Sequence, residues 1–152
     1  MIAAALATLA LAGASCHVQG TGLFTGPDPA CTPGRFQRLT REQVCASKDR
    51  PSTPTTVRRR VLGNYGVPGW TGANGEVDHR EPVFLGGLTV AGNLWPEAGP
   101  ATNNPKDELE RYVRRRICTG DPEPMTVRTG RLIFLGSWVA AFRFYHLDVL
   151  RF

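Results

Sequence analysis

Beyond its first sixteen residues, this 152-residue chain has no apolar run long enough to cross a bilayer, for which about 20 residues are needed. Its other long charge-free run, 132–142, falls well short, so a multi-span membrane protein is excluded. No internal repeat is visible, and no Cys-x-x-Cys occurs among Cys16, Cys31, Cys45 and Cys118, which argues against a structural zinc knuckle. Nor is there an excess of negative charge. Lysine and arginine number 18 against 13 acids, for a net +5 and a pI near 9.4. Positive charge summed in this way steers association with polyanions. Hydrophobic residues at 41% and charged residues at 20% allow a core and set the chain apart from a disordered tail. Seventeen glycines and twelve prolines require many turns and speak against an all-helical bundle.

Residues 1–16 carry no charged side chain and end in small residues, the pattern of an export signal with a cleavage site. Ala12 and Ala14 give the A-x-A spacing, and a leader over 1–15 is expected. The basic start of such a signal is missing, so the true start lies upstream or the segment is an N-terminal helix. Cys16 offers a second outcome, lipid attachment to its thiol, although Gly13 stands where a lipoprotein signal usually has leucine. The spread of the four cysteines agrees with export and disulfides. Four cysteines allow three pairings. Cys31–Cys45 closes the shortest loop among the downstream three and is the preferred bridge; reduced thiols in a cytoplasmic protein are the alternative.

Residues 16–34, rich in glycine, proline and threonine, read as an extended linker or arm, and 35–152 as the domain proper. A short helix is expected within 35–48, with Thr40 as N-cap and Gln43 completing a capping box. Pro51 and Pro54 break any helix over 49–56. A short strand leads through Val77 into Asp78 and His79, and Asn93-Leu94-Trp95 reads as a second. Pro105 can open a helix. Leu109, Tyr112, Val113 and Ile117 recur on one face of it, Asp107–Arg111 and Glu110–Arg114 are spaced to pair, and Gly120 is a fitting stop. A last helix is expected over about 137–150, with Trp138, Ala141, Phe142, Tyr145 and Val149 on one stripe. The fold class is therefore α+β.

The stretch EVDHREPVFLGGLTVAGNLWPEAG, then NNPKDELERYVRRRICTG, resembles the HNH endonuclease family of the ββα-metal (His-Me finger) class. More narrowly it is similar to small exported bacterial members with the order D-H-x-x-P-x-x-L-G-G, N-L-W-P-E, K-D-x-L-E and V-C-S-G. CTPG at 31–34 and Cys45 extend the likeness over most of 31–120. The resemblance implies a small ββα core over about 72–120 with flanking helices and glycine- and proline-rich loops. It also implies a metal-dependent endonuclease. Arg80 and Glu81 depart from it, standing where the family commonly has aliphatic residues.

Phosphodiester hydrolysis needs an activated water, and a neutral imidazole at His79 can take its proton, the ordinary pKa being about 6.5. Asp78 is the natural anionic ligand for a divalent ion. The resemblance adds a second ligand from the first helical turn, for which Asn103 (in N-x-x-K) is preferred over Asn104, and gives Asn93 the task of holding the loop that orients His79. Oxygen ligands favour Mg2+, with Mn2+ possible. Lys106 is expected to meet a phosphate near the helix start. Arg58, Arg59, Arg60, Arg114 and Arg115 are candidate backbone contacts, which give affinity without sequence preference. Trp95 is expected in the core, and Glu97 and Glu110 as structural anchors.

The expected function is thus an exported (secreted, periplasmic or cell-envelope) nuclease acting on nucleic acid, DNA in preference to RNA, with little sequence preference. The mature chain is expected to carry no integral membrane span. The competing expectation is an exported binding or envelope module that keeps the fold with weak or no turnover.

Overall fold

The computed structural model describes residues 15–48 and 51–147. The expected leader, apart from Ser15, and the end of the expected C-terminal helix lie outside the described residues. Among these residues the fold is α+β, with five α-helices and two separate two-stranded antiparallel sheets. None of the described helices is long and apolar enough to cross a membrane.

The segment read as an arm is folded. Strands β1 (Gln19–Thr21) and β2 (Phe24–Gly26) pair as a hairpin. Phe24 packs on Trp138 and Phe142, with ring centroids 6.3 and 5.5 Å apart, and the Trp138 indole donates to the Thr25 carbonyl. Burying one aromatic contact is enough to hold so short a hairpin, which would be marginal alone.

Helix α1 (Arg41–Ala46) starts where expected, Thr40 and Gln43 forming the capping box. Helix α2 (Thr55–Asn64) follows Pro54 with no side-chain cap. Its sequence, TTVRRRVLGN, is poor in strong helix formers and carries no clear helical signal. Burial of Val61 and Leu62 supplies what local propensity does not.

Strands β3 (Gly75–His79) and β4 (Leu94–Ala98) form the second sheet, with Glu76 opposite Glu97 and Asp78 opposite Trp95. Between them, single 3-10 turns at Val83–Leu85 and Ala91–Asn93 bracket the glycine pair. Helix α3 (Pro105–Cys118) is capped by Asn104, with Asp107 completing a second capping box. Gly120, at φ 77°, ends it as expected. The two expected i,i+4 pairs do not form. Arg111 bonds Glu108 instead, and Glu110 bonds Lys106.

The apolar run 132–142 is divided between two helices. Helix α4 (Val127–Leu135) is capped by Thr126 and α5 (Trp138–Phe144) by Ser137, with Gly136 between them. The single expected helix over 137–150 is therefore shorter, and α4 before it is an addition to the expected elements.

The disulfides are Cys16–Cys31 and Cys45–Cys118, which corrects the expected Cys31–Cys45 pair. Loop length is the wrong criterion, because helix packing decides the partner. Arg41 of α1 donates to the Ile117 and Cys118 carbonyls, and Arg114 of α3 donates to those of Cys45 and Ser47. These bonds lay the end of α1 against the end of α3. The Cys16 sulfur is committed to Cys31, so in this fold it is not a lipid anchor.

Two apolar clusters result. One joins Leu109, Val113 and Ile117 of α3 to Val44, Phe84, Leu85, Phe134, Trp138 and Phe142. The other joins Val77, Leu94 and Trp95 of the second sheet to Val61, Leu62, Tyr65 and Cys16. Where that sheet faces α3, the side chains that meet are charged.

Candidate active site

Alternation along β3 sends Glu76 and Asp78 to the same face. The strand register sets Glu97 directly across from Glu76. Like charges opposite one another are destabilising, yet here three carboxyls gather, with oxygens of Glu76, Asp78 and Glu97 within 4.8 Å of one another. Behind them lies Lys106, 1% exposed, whose ammonium donates to Asp78 and, at 2.6 Å, to Glu110. One cation is thus set among four acids.

The imbalance moves their protonation. Burial would raise the Asp78 carboxyl, but Lys106 and the neighbouring Glu97 and His79 together outweigh it and hold Asp78 down at about 2. Burial first, then Asp78 and Asp107, push Glu76 up to about 8. Glu97 is raised well above the ordinary range by burial and by Asp78. Burial also raises Glu110, to about 7, against the pull of Lys106. Lys106 itself stays charged, because the acids more than offset the cost of its burial.

His79 ends β3. Its Nε2 lies 3.0 Å from the Thr89 hydroxyl, and its Nδ1 is 4.0 Å from the nearer Asp78 oxygen. Burial lowers its pKa against the opposing effect of Asp78, so the imidazole is neutral at ordinary pH. It can accept a proton.

Glu76, Asp78, His79, Asp107 and Glu110 line a cleft of about 430 Å³. Arg58 of α2 and Arg114 of α3 also line it. Both are anchored, Arg58 on the Trp70 carbonyl and Arg114 on those of Cys45 and Ser47. A cleft lined by both acids and arginines offers an anion a cationic partner. Comparison with family models, with curated proteins and with solved structures finds no match for this chain. The chemistry must be read from the residues.

Asn93 is wholly buried, and its side chain is fully used. Its Oδ1 accepts from the Glu81 and Arg35 amides (2.9 and 3.3 Å), and its Nδ2 donates to the Glu81 and Leu88 carbonyls (3.0 and 3.1 Å). It ties together the loop that follows His79 and touches nothing in the cleft. Its role is positioning, not catalysis.

Three expected sites differ from what the fold presents. Asn103 is exposed, adopts φ 61° before α3, and does not line the cleft, while Asn104 is engaged as helix cap and as donor to Glu76. The acids gathered with Asp78 are Glu76 and Glu97. Lys106 is interior and not open to a phosphate. The signal was present, since Lys106 stands three before Leu109 and seven before Val113, on the stripe that α3 buries. Of the basic residues, Arg59, Arg60 and Arg115 are exposed outside the cleft lining, Arg115 being 3.4 Å from Asp121.

The three clustered carboxyls suit a hard divalent cation. Both Glu97 oxygens are buried without a hydrogen-bond donor, and oxygen-only donors suit hard cations of the Mg2+, Mn2+ and Ca2+ kind. Asp78, Glu76 and Glu97 would hold it.

Proposed function

We propose that the protein is a metal-dependent endonuclease that hydrolyses phosphodiester bonds, on DNA in preference to RNA and with little sequence preference. The reading rests on one observation above all. A neutral, buried imidazole (His79) stands beside Glu76 and Asp78 of the carboxyl cluster in a cleft lined also by Arg58 and Arg114. The order D-H, L-G-G, N-L-W-P-E and K-D-x-L-E, similar to the HNH family, gives the same reading.

The anchored arginines hold phosphates of the backbone, which carry no sequence information. His79 takes the proton of a water molecule whose oxygen attacks phosphorus, and the bond from phosphorus to the leaving oxygen breaks. Asn93 keeps the loop, and with it His79, in place. A divalent ion on Asp78, Glu76 and Glu97 would supply charge stabilisation to the phosphorane and the leaving oxygen. Export agrees with the leader pattern and with two disulfides, which persist in oxidising compartments.

Plasmid nicking by the purified, oxidised chain tests the proposal. Activity is expected with Mg2+, is abolished by EDTA, and falls by roughly 10²–10⁴ in His79→Ala, the range of a lost general base. Nicking that survives both treatments would falsify the mechanism.

A second reading has one observation in its favour, the Lys106 ammonium already seated on Asp78. In it the protein is an exported nucleic-acid-binding or envelope module with little turnover. Calorimetry separates the two, because this reading requires no Mg2+ or Mn2+ binding while salt-sensitive DNA binding remains.

A further inference from the structure

We propose that Thr89 is a positioning residue that holds His79 in its Nε2–H form and leaves Nδ1 bare toward Asp78 and the cleft, a role that rests on the nuclease reading above. A neutral imidazole carries its proton on one ring nitrogen only, and the hydrogen bond made by one decides the state of the other. The Nε2 of His79 lies 3.0 Å from the Thr89 hydroxyl, which can accept from an Nε2–H. No such acceptor serves Nδ1. Asp78 is 4.0 Å away, beyond hydrogen-bond length. Its carboxylate already accepts from the Lys106 ammonium. Among the described residues a proton on Nδ1 finds no protein acceptor within hydrogen-bond length, whereas one on Nε2 does.

The position of Thr89 is itself fixed. It sits between Leu88, whose amide donates to the Arg35 carbonyl at 2.8 Å and whose carbonyl accepts from Asn93, and Val90, whose carbonyl accepts from the Asn93 amide at 2.9 Å. Asn93 therefore bears on the imidazole through a chain of three contacts, from its side chain to Leu88, along the backbone to Thr89, and from that hydroxyl to Nε2. The sequence shows only LGGLTVAGN, in which Thr89 looks like one more loop residue.

The test uses the full oxidised chain labelled with 15N-histidine, with the Mg2+-free protein read by long-range proton–nitrogen correlation and the His79 signals identified by their loss in His79→Ala. Wild type is expected to show a pyrrole-type Nε2 and a pyridine-type Nδ1. Thr89→Val, close in shape but without the hydroxyl, is expected to turn this into a mixture of forms. Thr89→Ser is expected to restore the single form. In plasmid nicking, Thr89→Val should lower kcat by roughly tenfold or more with KM unchanged, and Thr89→Ser should recover it. A wild-type proton on Nδ1, or a Thr89→Val spectrum and kcat equal to wild type, would overturn the proposal. A wild type that shows the expected spectrum but nicks no DNA overturns the nuclease reading and leaves the tautomer assignment standing.

Discussion

Glu81 is wholly buried, and neither of its carboxyl oxygens receives a hydrogen bond. Arg131 lies 3.5 Å away, but its Nε and Nη2 donate to the Leu85 and Gln37 carbonyls and not to Glu81. Charge proximity without a hydrogen bond does not offset desolvation, and burial pushes Glu81 up to about 8. Its folded-state pKa is thus above the ordinary 4.5. The native state then holds a proton that the unfolded chain has released, so stability is fully present below the unfolded value and is lost as pH rises through the folded one. Glu76 adds to the same trend. Stability is expected to fall by a few kcal/mol between about pH 5 and about pH 9, read as urea midpoints. Glu81→Gln, which cannot ionise, should remove a large part of that fall and be more stable than wild type at the alkaline end. Parallel pH profiles for the two proteins would sink this account of Glu81.

At the scale of elements, the loop from Arg80 to Asn93 carries the site more than the strands do. Gly86, at φ 97°, ends the first 3-10 turn, and a Cβ on Gly87 would lie 1.7 Å from the Glu81 carbonyl oxygen. The two glycines are therefore needed for different reasons, a left-handed turn and a close backbone approach. Asn93 then closes the loop with four side-chain hydrogen bonds. Asn93→Ala leaves the Glu81 amide and carbonyl buried without partners and is expected to cost about 3 kcal/mol. Asn93→Asp keeps the acceptor oxygen and loses the donors, so its cost should be intermediate. Denaturant midpoints rank the three proteins, and a loss below about 1 kcal/mol for Asn93→Ala would show that the loop holds without it.

Part of the fold was legible in the sequence, because turns, caps and alternation are local chemistry. Thr40, Pro105, Gly120 and the strand through Asp78 are of that kind, whereas the loop-holding task of Asn93 was implied by the family resemblance alone. Glu97 joining Glu76 was not legible, since it depends on the register of a strand whose paired residue lies twenty-one positions on. Helix α2 was hidden by its weak propensity, and the cysteine pairing by helix contacts far apart in sequence.

Across the whole molecule, Cys45–Cys118 spans 73 residues and Cys16–Cys31 spans 15. On chain entropy the longer loop is worth about 4 kcal/mol and the shorter about 3 kcal/mol. Cys45→Ser with Cys118→Ser should therefore lower the thermal midpoint more than Cys16→Ser with Cys31→Ser. Calorimetry of the two double variants checks the order, and the reverse ranking would mean that native packing, not loop closure, sets the contributions. Each disulfide lies within one apolar cluster, Cys16–Cys31 in that of the second sheet and Cys45–Cys118 in that of α3. Neither crosses the charged layer where Lys106 meets Asp78. Covalent reinforcement runs alongside this boundary and never spans it. Because cooperative units part first where apolar contact is least, the easiest partial opening is expected to run through the cleft, where backbone amides should exchange ahead of those in either cluster. Oxidation, which hardens each half, leaves that opening free.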